Sequence, residues 1–182
     1  MHNGGVGSLL VVTGPPGAGK STVAEELARS ISSSVLVEGD AFFRFLRNDA
    51  IDPWLPQAND QNTTVTQAAG AAAGKFARGG LHTVYDGVIG PWFLDEFLAS
   101  TELASLDYVV LLPLVETCVE RVLIRQNHGF TDAAAARHMH DQFTRRPPAA
   151  RHILNHVDQS PMKLATCILD ARARGDLRYD AL

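Results

Sequence analysis

Gly14–Pro15–Pro16–Gly17–Ala18–Gly19–Lys20–Ser21 is the stretch on which the fold turns. It matches GxxxxGK[ST] in full, between an apolar run, Ser8 to Thr13, and a segment of helical spacing, Ser21 to Ser30. Glycines here let backbone N–H groups face phosphate oxygens with no β-carbon in the way. The helix that follows adds about half a positive charge at the same point. Lys20 would reach the β- and γ-phosphates, the Ser21 hydroxyl would hold Mg²⁺, and Thr22 is a further hydroxyl nearby. A dinucleotide loop is the competing reading, but the spacing fits neither GxGxxG nor a nicotinamide loop, where a lysine would have no role.

Outward from this loop the chain alternates short apolar runs with helical segments. Val35 to Val37, Leu81 to Tyr85, Asp107 to Leu112 and, more weakly, Ile153 to Val157 read as strands. Helices are expected over Asn59 to Arg78, after Pro91, over Val115 to Asn127, and from Asp132 to about Arg145. Ser160–Pro161 gives the N-cap and first-turn signature of a last helix reaching about Ala173. Phe42, Phe45 and Leu46 share the spacing of one helical face, and the small residues of 59–78 suit close packing on a neighbour. Apolar strands alternating with helices imply an α/β three-layer sandwich, a five-stranded parallel sheet with helices on both faces. No linker divides the chain, so one domain over 1–182 is expected.

Composition narrows the function. With 182 residues, 46% apolar and 20% charged, the chain has a globular balance and enough length for a real core. A net charge of −4 argues against a nucleic-acid-coating protein. Thirteen arginines stand beside only three lysines, one of them Lys20. Cys118 and Cys167 lie outside any CxxC spacing, which disfavours a disulfide scaffold or zinc cage and fits a reducing cytoplasm. Leu9 to Val12 is too short for a membrane span or a signal peptide.

Ligands of such sheets bind beyond the carboxyl ends of the strands. Glu38–Gly39–Asp40, Asp86–Gly87 and His156 to Asp158 should converge there with Thr13–Gly14. No NKxD sequence is present to read guanine, and a motor would be larger, so a small-molecule kinase is the expected class. Val37 to Asp40 followed by Arg44 resembles the second-strand segment of gluconate and adenylate kinases. Tyr85–Asp86–Gly87 is similar to the third-strand end of adenylate kinases. Arg121, Arg125 and His128–Gly129–Phe130, with Gln142–Phe143 downstream, resemble the lid of gluconate kinases, and 157–160 resembles their closing segment. The chain therefore resembles the P-loop small-molecule kinases, closest in pattern to gluconate, shikimate and chloramphenicol (antibiotic) kinases. The acceptor half departs from them: Ala41 to Phe45, Trp54, Gln57 to Asn62 and Val88 to Trp92 do not follow the gluconate kinase pattern.

The resemblance implies ATP and Mg²⁺, a hydroxyl-bearing small-molecule acceptor, a monomer or homodimer, a short lid around 125–132 and an acceptor-covering segment around 42–78. A nucleotide or nucleoside kinase, and a non-catalytic ATP-binding regulator, are the alternatives. Asp40 is the candidate general base, with Glu38 the rival on the same strand face; Gly39 would let the chain turn between them. Asp86 is the candidate to orient Mg²⁺ with Ser21. Arg121 and Arg125, one helical turn apart, can face the transferring phosphate, to which their planar forks are suited. Arg44, Phe43 and Trp92 are the expected acceptor contacts, with Phe45 and Trp54 near them. His138 with His140, and His152 with His156, do not have metal-pair spacing and are read as structural.

Overall fold

Leu9, Leu10, Val11 and Val12 are each at most 1% exposed, because the first strand, β1 (Ser8–Thr13), lies at the centre of the sheet with both faces covered. In this computed structural model, residues 7–124, 132–155 and 159–181 are described. After β1 come α1 (Lys20–Ser30), β2 (Ser34–Glu38), α2 (Gly39–Phe43) and α3 (Asn59–Arg78). β3 (His82–Asp86), α4 (Leu94–Thr101), β4 (Ser105–Leu111), α5 (Val115–Ile124) and α6 (Ala133–Arg145) follow. The chain ends with β5 (Ile153–Leu154), α7 (Pro161–Ala173) and β6 (Arg178–Asp180).

The strand order is β2-β3-β1-β4-β5, all parallel. Register places Val12 opposite Asp86, and Asp86 opposite Glu38, so the acids at the ends of β2 and β3 stand level with the end of β1. Alternation along β1 sorts the two cores. Leu9 and Val11 pack with Tyr85, Phe97 and Tyr108 under α3 and α4. Leu10 and Val12 pack with Val23, Leu27, Leu164 and Ile168 under α1 and α7. This is the expected three-layer sandwich.

Two features differ from the sequence expectation. A sixth strand, β6, pairs antiparallel with the first half of β4, on the edge whose second half takes β5. Three residues with a charge at each end carry no apolar run, so pattern reading passes over it. The helix expected around Phe42 to Leu46 ends at Phe43. Phe42 packs on the core, whereas Phe45 is 69% exposed, its ring edge-to-face with that of Phe42 at 5.5 Å. The small residues of α3 act as expected: a β-carbon at Gly70 or Gly74 would lie 2.0 Å from the Ser100 hydroxyl or 2.1 Å from the Thr101 carbonyl of α4. Asp132 and Ser160 cap α6 and α7, accepting from backbone N–H groups of their first turns.

Candidate active site

β1 stops at Thr13, and the loop 14–19 leads into α1 through Gly19 at φ 92°. No side chain caps this helix, so its first N–H groups are left for an anion. Gly14 and Gly17 also have positive φ, 144° and 81°. Their close approaches are as demanding as their torsions. A β-carbon at Gly14 would lie 2.2 Å from the Leu111 carbonyl, and one at Gly17 2.2 Å from the Cys118 carbonyl of α5. The loop is thus wedged between the end of β4 and α5. Lys20 Nζ donates to the Pro15 carbonyl at 3.1 Å, folding the lysine back across the loop. Arg121 Nη1 donates to the Gly17 carbonyl at 3.4 Å, which places its guanidinium over the cradle.

Asp86 ends β3, opposite Val12 of β1 and outside the residues that line the cleft. Its Oδ1 is buried with no partner. Burial raises the Asp86 pKa above the usual carboxylate value; Asp40 and Glu38 raise it further, while the Lys20 charge and the Ser21 hydroxyl oppose them. The Ser21 hydroxyl at the start of α1 and a half-buried Asp86 carboxylate with an unpartnered oxygen are hard-oxygen donors of the kind that suit Mg²⁺. Among the described residues no three His, Cys, Asp or Glu side chains group to hold a metal alone. A cation at Ser21 and Asp86 would therefore be shared with phosphate oxygens. The Cys118 thiol, buried beneath the loop, is pushed up to about 11 by burial.

A cleft of about 850 Å³ runs from Gly17, Lys20 and Ser21 to an aromatic end. Asp40 lines it and Glu38 does not; Glu38 instead faces Arg44 at 3.8 Å, on the exposed side. Asp40 reaches the cleft from the first turn of α2. Gly39 contributes by its size rather than by a special torsion, since a β-carbon there would meet the Tyr85 hydroxyl at 2.3 Å. Phe43, Trp54 and Trp92 line the far end, the last edge-on to Phe143 at 5.1 Å. Arg44 and Phe45 stand outside that lining. Thr22 is exposed on α1, beyond the lining. Arg125, all but the last residue of the expected lid 125–132, and His156 with Asp158 lie outside the described residues.

The structure brings further residues to the cleft, Asn59 and Asn62 of the Gln57 to Asn62 run among them. Asn59, Asn62, Thr63 and Thr66 form one face of α3 toward the cleft. Their i, i+3, i+4, i+7 spacing was the available signal, a hydrogen-bonding stripe along one face of the helix's first two turns. Glu96 of α4 and Arg145 and Arg146 at the end of α6 also line the far end. His138 lies on the rim, 3.2 Å from Gln142 Nε2. His140 and His152 are buried against the carbonyls of Pro113 and Tyr108, as structural histidines are.

The model of the AAA_33 family, an AAA domain, matches residues 9–148. The chain belongs to this family. The AAA_33 chain is 25% identical over 126 residues to a cytidylate kinase of Sulfurisphaera tokodaii, a match covering 69% of this chain and 66% of that protein, just under two thirds of its length. The tunicamycin resistance protein of Deinococcus radiodurans has a similar structure, with TM-score 0.65, 16% identity, and 97% of this chain and 99% of that one covered. A gluconokinase of Sinorhizobium meliloti 1021 gives TM-score 0.64 and 21% identity, with 94% of each chain covered. At these identities the two structures are likenesses of fold. Among the described residues of the AAA_33 chain, no helix is long and apolar enough to cross a membrane.

Proposed function

We propose that the AAA_33 chain is an ATP- and Mg²⁺-dependent phosphotransferase that moves the γ-phosphate to a hydroxyl of a small molecule. The observation that carries this is the sharing of one cleft by Asp40, Lys20 and Ser21; Asp86, at the end of the neighbouring strand β3, keeps an unpartnered buried oxygen. The loop amides and Lys20 bind the phosphate tail, and Arg121 meets charge that develops on the transferring group. Asp40 holds the acceptor hydroxyl and takes its proton as that oxygen bonds to phosphorus and the bridge to the β-phosphate breaks. Ser21 and Asp86 would hold the magnesium ion, which when bound spreads the phosphate charge and orients the group. Phe43, Trp54 and Trp92 wall the acceptor, and the segment 42–78 covers it. The two free cysteines, Cys118 and Cys167, suit a cytoplasmic setting.

The test is an ADP-release assay over gluconate, shikimate, hydroxylated antibiotics, cytidine and cytidine monophosphate. Acceptor-stimulated turnover supports the proposal. Tight ATP binding with slow, acceptor-independent hydrolysis would replace it with a nucleotide-dependent regulator. A nucleotide or nucleoside kinase is the second reading, favoured by the cytidylate kinase likeness and by an aromatic cleft end able to stack a base. Turnover confined to the cytidine compounds would select it.

A further inference from the structure

Ile89 belongs to no strand or helix, yet it is 1% exposed and both its backbone groups are held by buried side chains. Its N–H donates to Thr13 Oγ1 at 2.8 Å, and its carbonyl accepts from the Tyr108 hydroxyl at 2.7 Å. Thr13 is the last residue of β1 before the phosphate loop, and Tyr108 stands in the middle of β4; both are 0% exposed. Loop residues ordinarily satisfy such groups with water or with one another. Here two adjacent strands reach across and fix a single loop residue from both sides.

The loop so fixed carries the acceptor wall. Val88, Trp92 and Phe93 face the cleft. Trp92 folds back over Gly90, where a β-carbon would lie 2.3 to 2.5 Å from the indole ring, and its edge rests on Phe143. The indole therefore has little freedom of its own, and its position follows the backbone of 87–93. That backbone is tied to the residue from which the phosphate loop springs.

We propose that Thr13 and Tyr108 are positioning residues that clamp Ile89 and so set the distance between the acceptor wall at Trp92 and the phosphate held at Gly14 to Ser21. The proposal rests on the phosphotransferase reading for its kinetic consequence, though the clamp itself can be measured without turnover. In-line transfer is sensitive to misplacement on the order of 1 Å, which can lower the rate about 100-fold. Tyr108→Phe leaves the Ile89 carbonyl without its donor. Thr13→Val leaves the Ile89 N–H without its acceptor at nearly constant volume, whereas Thr13→Ser keeps the oxygen.

The experiment has two arms. In a Trp54→Phe background Trp92 is the sole tryptophan, and its quenching by acrylamide reports how firmly the wall is held. Tyr108→Phe and Thr13→Val should each raise the quenching constant about twofold, and Thr13→Ser should leave it unchanged. With Trp54 restored, Tyr108→Phe should raise the KM of whichever panel acceptor is turned over, or lower its kcat, by about 10-fold or more, while ATP affinity by calorimetry stays within about twofold. A purely stabilising role would lower the melting temperature and move neither reading. Unchanged quenching in both Tyr108→Phe and Thr13→Val overturns the proposal, as does changed quenching with unchanged acceptor kinetics. Should the wild-type protein phosphorylate none of the panel while quenching responds as expected, the clamp stands and the phosphotransferase reading falls.

Discussion

Asp86, at the end of β3, stands opposite Val12 of β1, one residue before that strand ends at Thr13, and its Oδ1 is buried without a partner. A carboxyl group whose pKa is raised in the folded state above 3.8 favours folding below that value and loses the contribution as pH rises through the higher one. At neutral pH, without ligand, the Asp86 charge therefore opposes folding. Asp86→Asn should raise the melting temperature measured in chelator and without nucleotide, and should weaken Mg²⁺-dependent ATP binding by about 10-fold or more. A lower melting temperature for the variant would contradict the account of this site.

Gly17 is held against Cys118 by backbone, which cannot rotate aside as a side chain can. Gly17→Ala therefore meets two obstacles: a left-handed torsion, φ 81°, and a carbonyl 2.2 Å from the new methyl. The variant should lose about 1–3 kcal/mol of stability and most of its ATP affinity, read by thermal shift with and without nucleotide. An alanine variant that still shifts upward with ATP as the wild-type protein does would show the loop to be more pliant than its packing implies.

His152 sits 2% exposed beneath β4, with Nδ1 3.0 Å from the Tyr108 carbonyl and Nε2 facing Arg151 Nε at 3.2 Å. Burial and the Arg151 charge lower its pKa below 6.5, against a smaller opposing effect of the carbonyl. The unfolded chain thus binds a proton that the folded one refuses. The stability this contributes is present above about pH 6.5 and is lost as pH falls through the lower folded value. Melting temperature should drop between about pH 7 and about pH 5, and His152→Asn, which keeps a donor near the Nδ1 position, should flatten that slope. An equal slope in the variant would assign the acid sensitivity to other groups.

How much of this was legible in the sequence depends on whether the signal was local. The loop from Gly14 to Ser21 and the run from Ser8 to Thr13 announce the central strand and its cradle, because both are continuous in sequence. The caps Asp132 and Ser160 are equally local. β6 was hidden because its three residues gain their strand geometry from the exposed edge of β4 rather than from any pattern of their own. Of the acids that position alone singled out, Asp40 lines the cleft, whereas Glu38 and Asp86 stand outside its lining. The polar stripe of α3 and the clamp on Ile89 were not legible, since they depend on which helix face turns inward and on contacts 19 and 76 residues apart.

Asp40 and Glu38 are two residues apart, and the sequence leaves either as the base. Geometry separates them: Asp40 enters the cleft from the first turn of α2, whereas Glu38 faces the Arg44 guanidinium at 3.8 Å outside it. An exposed pair of that length contributes little to stability, so removing Glu38 should disturb the fold only slightly. Glu38 does still act on the Asp86 carboxyl through its charge, and Glu38→Gln should alter Mg²⁺ dependence modestly. Asp40→Asn keeps the shape of the side chain but cannot take the acceptor proton, so kcat should fall by about 100- to 10,000-fold with ATP affinity preserved. Measured together on the acceptor that gives turnover, the two variants discriminate the roles. A large loss in Glu38→Gln with activity retained in Asp40→Asn would reverse the assignment.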